Sequence, residues 1–228
     1  MSQIVEASIA DFLPPDRRTE FVNCSFVGPE HVLKQVAFTV GKKSARPPEY
    51  RIEVSNPDFR GKLHFLLGPG KGVVRIESGG PMNVSFRMYR NCNVQIEEGV
   101  TITQARIVCD DADIHVGRNG LWSDEIIVQS NDQHGIIDLQ TMAPINSERR
   151  SITIAEHVWI GRRAIIMPDV HIGREAIIAA GACVTSDVER NSIYAGIPPR
   201  RIREGITWSR SPTGLSDYER RLLGYDQA

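Results

Sequence analysis

Six histidines occur in the 228 residues, and one is set apart by its neighbours. His134 lies in the segment SNDQH, with Asp132 two residues before it and Asp138 four after. Imidazole has a reference pKa of about 6.5, which suits it to taking and returning a proton near neutral pH. A nearby carboxylate can fix its tautomer or stabilise its cation. Each aspartate reads equally well as a turn residue. The cysteines Cys24, Cys92, Cys109 and Cys183 are widely spaced with no C-x-x-C pair, so free thiols are expected rather than a disulfide frame or a zinc ribbon. Cys109 and Cys183 read as small hydrophobes, and neither has a partner base to make it a covalent nucleophile.

The elements that must carry these residues follow from a repeat. From Ile154 an aliphatic residue falls at every sixth position: Ile154, Ile160, Ile166, Ile172, Ile178 and Val184. Four residues after each comes a small or β-branched one: Val158, Ala164, Val170, Ala176, Ala182 and Val188. A helix of 3.6 residues per turn cannot keep a six-residue step on one face. A short strand followed by a bend can, with the aliphatic residue inward, the small residue at the corner and Gly161 or Gly173 tolerating the bend. Stacked coils of this kind pair as parallel β and bury a narrow ladder. The aromatic content of 7% suits an interior too slim for large rings.

Upstream the step survives at Ile96, Ile102, Val108 and Ile114, although Arg106 and Arg118 stand where small residues belong. The phase then slips by two at Val116, and Leu66, Val74, Ile76, Val84 and Phe86 read as degenerate coils. His134 sits where the regular coil stops. His115, His157 and His171 fall at non-core positions, where a solvated or edge role is the simpler reading, and His31 and His64 lie outside the clear repeat. Trp159 ends a hexad and projects outward, a desolvation cost that a binding role would explain.

Three segments follow. Residues 1–60, broken by Pro14-Pro15, Pro47-Pro48 and Pro57, read as a strand-rich cap or extension. Residues 61–203 read as the coil, with an excursion at 135–150. Residues 204–228 read as a polar tail in which Ser216 and Glu219 form a capping box for a short helix. A formal net charge of −1 excludes binding to nucleic acid through bulk charge. No apolar run is long enough to span a membrane or to form a signal peptide, and a cytoplasmic location is expected.

The stretch ITIAEHVWIGRRAIIMPDVHIGREAIIAAGACVTSDVERNSIYAGIPPRRIRE resembles the signature end of the hexapeptide-repeat acyltransferases. The preceding WSDEIIVQSNDQHGIIDLQTMAPIN resembles the segment that polysaccharide and capsule O-acetyltransferases place before it. The similarity covers roughly residues 94–204, with Pro199, Arg200 and Ile197 departing from the usual ending. It implies an all-β fold, a left-handed parallel β-helix, assembled as a homotrimer. It also implies transfer of an acetyl group from acetyl-CoA to a hydroxyl of a sugar or glycoconjugate, at a cleft between subunits. His134 aligns with the family's catalytic histidine, with Asp132 as the first candidate to support it. In the family a tryptophan at the place of Trp159 lies along the coenzyme arm or the acceptor. Gly161, Ala179 and Ala180 have little side-chain bulk, which lets a pantetheine arm approach the backbone and equally suits the corners of the coil. Arg162, Arg200 and Arg203 match positions that meet the coenzyme's phosphates. Arg163 and Arg201 could contribute.

Three other readings compete. One is transfer to the nitrogen of an amino sugar. Another is a silent β-helix serving as a scaffold, since repetition reports stability and not chemistry. The third is a γ-class carbonic-anhydrase-like zinc protein, which needs paired histidines that the following hexads lack. No metal is expected.

Overall fold

The computed structural model describes residues 3–41 and 47–225; residues 1–2, 42–46 and 226–228, which fall within the N-terminal and tail segments outlined above, lie outside the described residues. Strand β1 (Ile4–Ser8) pairs antiparallel with β2 (Ser25–Pro29). A single helical turn, α1 (Glu30–Leu33), leads to β3 (Val36–Val40) and then β4 (Glu49–Val54). Three long strands bend around corners of the coil: β5 (Arg60–Ile76), β6 (Pro81–Ile96) and β7 (Thr101–Val116). Strands β8 (Leu121–Trp122) and β9 (Ile126–Gln129) precede the excursion, and β10 (Arg150–Ile154) follows it. The hexads supply β11 (Trp159–Ile160), β12 (Ile165–Ile166), β13 (His171–Ile172), β14 (Ile177–Ile178) and β15 (Cys183–Val184). A hairpin of β16 (Ser192–Ala195) and β17 (Arg200–Glu204) and a short helix α2 (Asp217–Leu223) close the chain.

From β2 to β16 the strands stack in parallel into a β-solenoid with three faces. One face carries β3, the first half of β5 and of β6, the middle of β7, then β9, β12 and β15. A second carries β2, β4, the later halves of β5 and β6, the end of β7, β10 and β13. The third carries the start of β7, β8, β11, β14 and β16. The excursion leaves the corner between the first face and the second, because it joins β9 to β10.

Period decides the shape of the core. In the hexad region Ile154 pairs with Ile172, Ile160 with Ile178 and Ile166 with Val184, so one coil takes 18 residues. All six aliphatic positions and all six small positions are buried. Each fully buried Ile or Val stabilises by roughly 1.5–3 kcal/mol before chain entropy is counted. Toward the N-terminus Asn93 pairs with Asp113 and Ser85 with Arg106, so these coils are two or three residues longer. Their larger section holds rings, contrary to the slim interior expected. Phe38, Phe65 and Phe86 stack along the first face, with centroids 5.7 and 4.7 Å apart, and Trp122 is fully buried on the third. Leu66 faces outward while Leu63, Phe65 and Leu67 fill the core. Arg106 likewise occupies an outward position, with Ala105 and Ile107 inward beside it.

Corners are made differently from the expectation too. The left-handed backbone at the bends sits on Asn119, His157, Glu175 and Asn191 along one edge, with φ of 61°, 55°, 62° and 53°. Gly161 and Gly173 serve a different need. A Cβ on Gly161 would come within 2.6 Å of the Ala180 nitrogen, and one on Gly173 within 2.5 Å of the Arg190 nitrogen, so both permit close approach of successive coils.

The tail lies along that same edge rather than over an end of the stack. Trp208 lies flat on His157, Arg210 donates to the carbonyl oxygens of Gly99 and Gly120, and Tyr225 donates to Glu175. Ser216 caps α2: its Oγ accepts from the Glu219 amide, while the Glu219 carboxylate accepts from the Ser216 amide. Among the described residues no helix is long and apolar enough to cross a membrane.

Candidate active site

The excursion begins where β9 ends. Asn131, buried at the corner, accepts the Gln133 amide on Oδ1 at 2.9 Å and starts a tight turn. His134 follows on the exposed side of that turn. The turn is tied to the far limb of the excursion by Asn146, a buried amide that the sequence reading did not single out. Its Nδ2 donates to the His134 carbonyl at 2.9 Å and to Asp132 Oδ2 at 3.0 Å, and its Oδ1 accepts the Ile136 amide at 2.8 Å. Three bonds from one side chain thus hold the His134 carbonyl, the backbone just after it and the carboxylate two residues before it. The only sequence signal for it is a polar residue four positions before the coil resumes at β10.

The two candidate carboxylates separate in role. The Asp132 carboxylate meets Asn146 and not the imidazole. Asp138 turns inward on its own loop, accepting from the Gln140 and Thr141 amides and the Thr141 hydroxyl, and these bonds hold its carboxyl below the usual carboxylate range. The base of the loop is pinned by Arg149, which donates to both oxygens of Asp113, to Asp111, and to the Asn91 and Ala112 carbonyls. Between these anchors the loop presents Ile136, Ile137, Leu139, Met142 and Ile145 to the outside; Leu139 is 84% exposed. Five apolar side chains on one exposed loop form a patch of the kind that marks an interaction surface.

The residues matched to a coenzyme lie on the third face and beyond it. Trp159 is 40% exposed and stands in an outward column with Leu121, Ile177 and Ile193. Its ring centroid is 6.2 Å from that of Trp208. Ala179 is half-buried and Ala180 exposed one coil below Gly161, whose lack of a side chain is required by coil packing. Arg162 donates to Asp124 at 2.8 Å, a hydrogen bond that holds the Asp124 carboxyl below its ordinary range, so this cation is already matched. Arg163 is matched to Glu125 in the same way. Arg200 and Arg203 are exposed on β17 and have no carboxylate partner among the described residues, whereas Arg201 pairs with Glu189 and Glu204. The set divides between uncompensated arginines at the end of the stack and an apolar column with an exposed indole.

His157 is buried rather than solvated. Its Nε2 bonds the Trp208 carbonyl at 2.9 Å, its Nδ1 has no partner, and burial pushes its pKa below the ordinary value. The thiols are all free. Cys109 is sealed in the wall, where its hydrogen bond with Cys92 and burial drive its pKa far up, so it is no ready nucleophile. Among the described residues no group of three or more His, Cys, Asp or Glu is arranged to hold a metal ion.

Residues 151–186 match the family described as bacterial transferase hexapeptide (six repeats). The galactoside O-acetyltransferase of Escherichia coli (strain K12) is 35% identical over 128 residues, 55% of this chain and 55% of that protein. The polysialic acid O-acetyltransferase of Escherichia coli O1:K1 / APEC is 31% identical over 139 residues, 60% of this chain and 45% of the relative. The chain thus spans about half the length of the curated relatives it matches. Among solved structures, the polySia specific acetyltransferase NeuO superposes with a TM-score of 0.62 at 19% identity, over 84% of this chain and 97% of that one. The polysialic acid O-acetyltransferase OatWY gives 0.54 at 18% identity, over 83% and 84%. At these identities the structural likeness speaks for the fold.

Proposed function

With a bacterial transferase hexapeptide repeat at residues 151–186 and sugar O-acetyltransferases among its relatives, we propose that this chain is an acetyl-CoA-dependent O-acetyltransferase acting on a hydroxyl of a sugar or glycoconjugate. The observation that carries the reading is His134: an exposed imidazole on a backbone clamped by Asn146, at the point where the coil opens.

Acetyl-CoA supplies an acyl group already activated as a thioester. A sugar hydroxyl is a poor nucleophile until its proton is removed. His134 takes that proton as the oxygen attacks the thioester carbonyl, and returns it to the departing thiolate, so the ring ends as it began. The apolar column of Leu121, Trp159 and Ile177 suits the coenzyme's arm, and the uncompensated charges of Arg200 and Arg203 suit its phosphates through forked donors. Arg162 contributes less than its position suggests, since Asp124 already neutralises it. Asp132 acts through Asn146 on the loop rather than on the ring.

His134 stands on an open surface, and its loop is edged with exposed apolar side chains. A second wall from another copy of the chain would close the site and cover that patch, in keeping with a homotrimer whose active sites lie between subunits. Transfer to nitrogen would use the same base and donor, and the choice between them falls to the acceptor. Thiol release from acetyl-CoA, followed with a panel of sugars, nucleotide sugars and amino sugars, tests the function. Release that depends on a hydroxyl-bearing sugar is expected. No stimulation by any acceptor, with no binding of coenzyme A, would return the chain to the scaffold reading.

A further inference from the structure

On the first face of the solenoid, to one side of the excursion, lies a groove of about 510 Å³ with residues from β5, β6, β7, β9 and β12 along its walls. These strands belong to successive coils, which at a spacing of ~4.8 Å makes the groove about 20 Å long. Its floor mixes apolar side chains, Leu66 and Ile127, with the polar Ser85 and Gln104. Arg87 and Arg106 also line it.

These two arginines face the groove without a counter-charge among the described residues. Several other guanidinium groups on the coil wall are matched to carboxylates on a neighbouring coil, as Arg75 is to Glu53, Arg118 to Glu156 and Arg162 to Asp124. The Arg87 and Arg106 side chains have no partner of any kind among the described residues. They are also close: Ser85 lies directly opposite Arg106, and Arg87 is two residues further on the same strand. Diagonal side chains on adjacent strands are roughly 7–8 Å apart, near enough for like charges to repel and for one anion to bridge them. Arg106 is also one of the two residues, with Arg118, that put a long cation where the sequence repeat has a small residue. The remaining charges in the groove, Arg163 and Glu125, neutralise one another.

We propose that this groove binds an acidic saccharide, with the carboxylate of a sugar residue held between Arg87 and Arg106 and neighbouring residues of the polymer running along the coils. The proposal rests on the saccharide-acceptor reading above and specifies it: an acceptor that carries negative charge and is longer than one residue. His64 gives the groove a fixed polar edge, since both ring nitrogens are engaged by hydroxyls, Nδ1 with Ser85 at 3.3 Å and Nε2 with Thr39 at 2.9 Å. The anion could instead be a phosphate of the coenzyme. Against that, the uncompensated Arg200 and Arg203 lie at the other end of the stack, past β16 on the third face.

The test is calorimetric titration of the full chain with α2,8-linked hexasialic acid, with maltohexaose and with coenzyme A, in the wild type and in Arg87→Gln/Arg106→Gln. Hexasialic acid should bind more tightly than maltohexaose, should weaken as salt is raised, and should lose roughly 10-fold in affinity in the double variant, while coenzyme A binds both proteins alike. Equal affinity for the acidic and neutral hexamers, or an unchanged affinity in the double variant, would overturn the proposal. Loss of coenzyme affinity in the double variant would also overturn it, by assigning the groove to phosphate. No turnover is measured, so an inactive protein that binds hexasialic acid counts against the catalytic reading alone.

Discussion

The rings of His157 and Trp208 lie 4.1 Å apart and 6° from parallel, and each residue also bonds the other's backbone. Trp208 Nε1 donates to the His157 carbonyl at 2.8 Å, and His157 Nε2 meets the Trp208 carbonyl at 2.9 Å. This reciprocal pair seats the tail on the coil. It requires a neutral imidazole carrying its proton on Nε2, because the buried Nδ1 faces no acceptor.

A pH dependence follows. Burial lowers the His157 pKa from its ordinary value near 6.5, so the unfolded or undocked state binds the proton more readily than the docked one. The docking contribution is complete above about pH 6.5 and is lost as pH falls toward the lowered value. Melting temperature compared between pH 7.5 and 5 should fall more in the wild type than in His157→Gln, and equal falls would show that this ring is not the titrating group.

A second dependence lies at lower pH, in the cap of α2. Burial alone would raise the Glu219 pKa, but hydrogen bonds from the Arg210 and Ser216 amides and from the Ser216 and Ser209 hydroxyls outweigh it and bring the value to about 2, against 4.5 ordinarily. Its contribution is present above about pH 4.5 and disappears as pH falls toward 2. Ser216→Ala should cost about 1 kcal/mol in denaturant unfolding at neutral pH. A variant as stable as the wild type would remove the capping box from the tail's stability.

Core substitutions should differ by coil size. Phe86 stacks on Phe65 at 4.7 Å and is fully buried, so Phe86→Ala should cost about 3–5 kcal/mol. Ala176→Phe in the 18-residue coils should prevent folding or sharply destabilise the protein, because Ala176 is fully buried and a ring there would overpack the core. Urea unfolding of both variants checks the contrast, and a well-tolerated Ala176→Phe would contradict the narrow section.

Asn146 holds the His134 backbone without meeting its ring, which makes it a positioning residue for the proposed base. Asn146→Ala should lower kcat by roughly 10- to 100-fold with little change in KM for acetyl-CoA, and should speed proteolysis within the excursion. Slower turnover with no change in protease sensitivity would point to a role other than loop placement.

The C-terminal half of the coil was legible because each 18-residue turn divides into three equal hexads, so Ile154 through Val188 repeat without an error. The N-terminal coils hid theirs. Extra residues accumulate at corners such as Arg90 and Asp111, and the long strands bury alternate residues, so Ile114 and Val116 both face inward and the phase seems to slip. The phenylalanine stack escaped notice because low overall aromatic content says nothing of where the rings gather. His134 was readable from its place at the break in the repeat. Asn146 was not, since its importance comes from bonds across a loop, and Asp132 looked like the partner of the ring from sequence nearness alone.

The central claim is best tested by kcat for His134→Ala with acetyl-CoA and a sugar acceptor, alongside coenzyme A affinity measured in the same variant. Turnover should fall by about 10²- to 10⁴-fold while coenzyme affinity stays near the wild-type value. Turnover close to the wild type would contradict it.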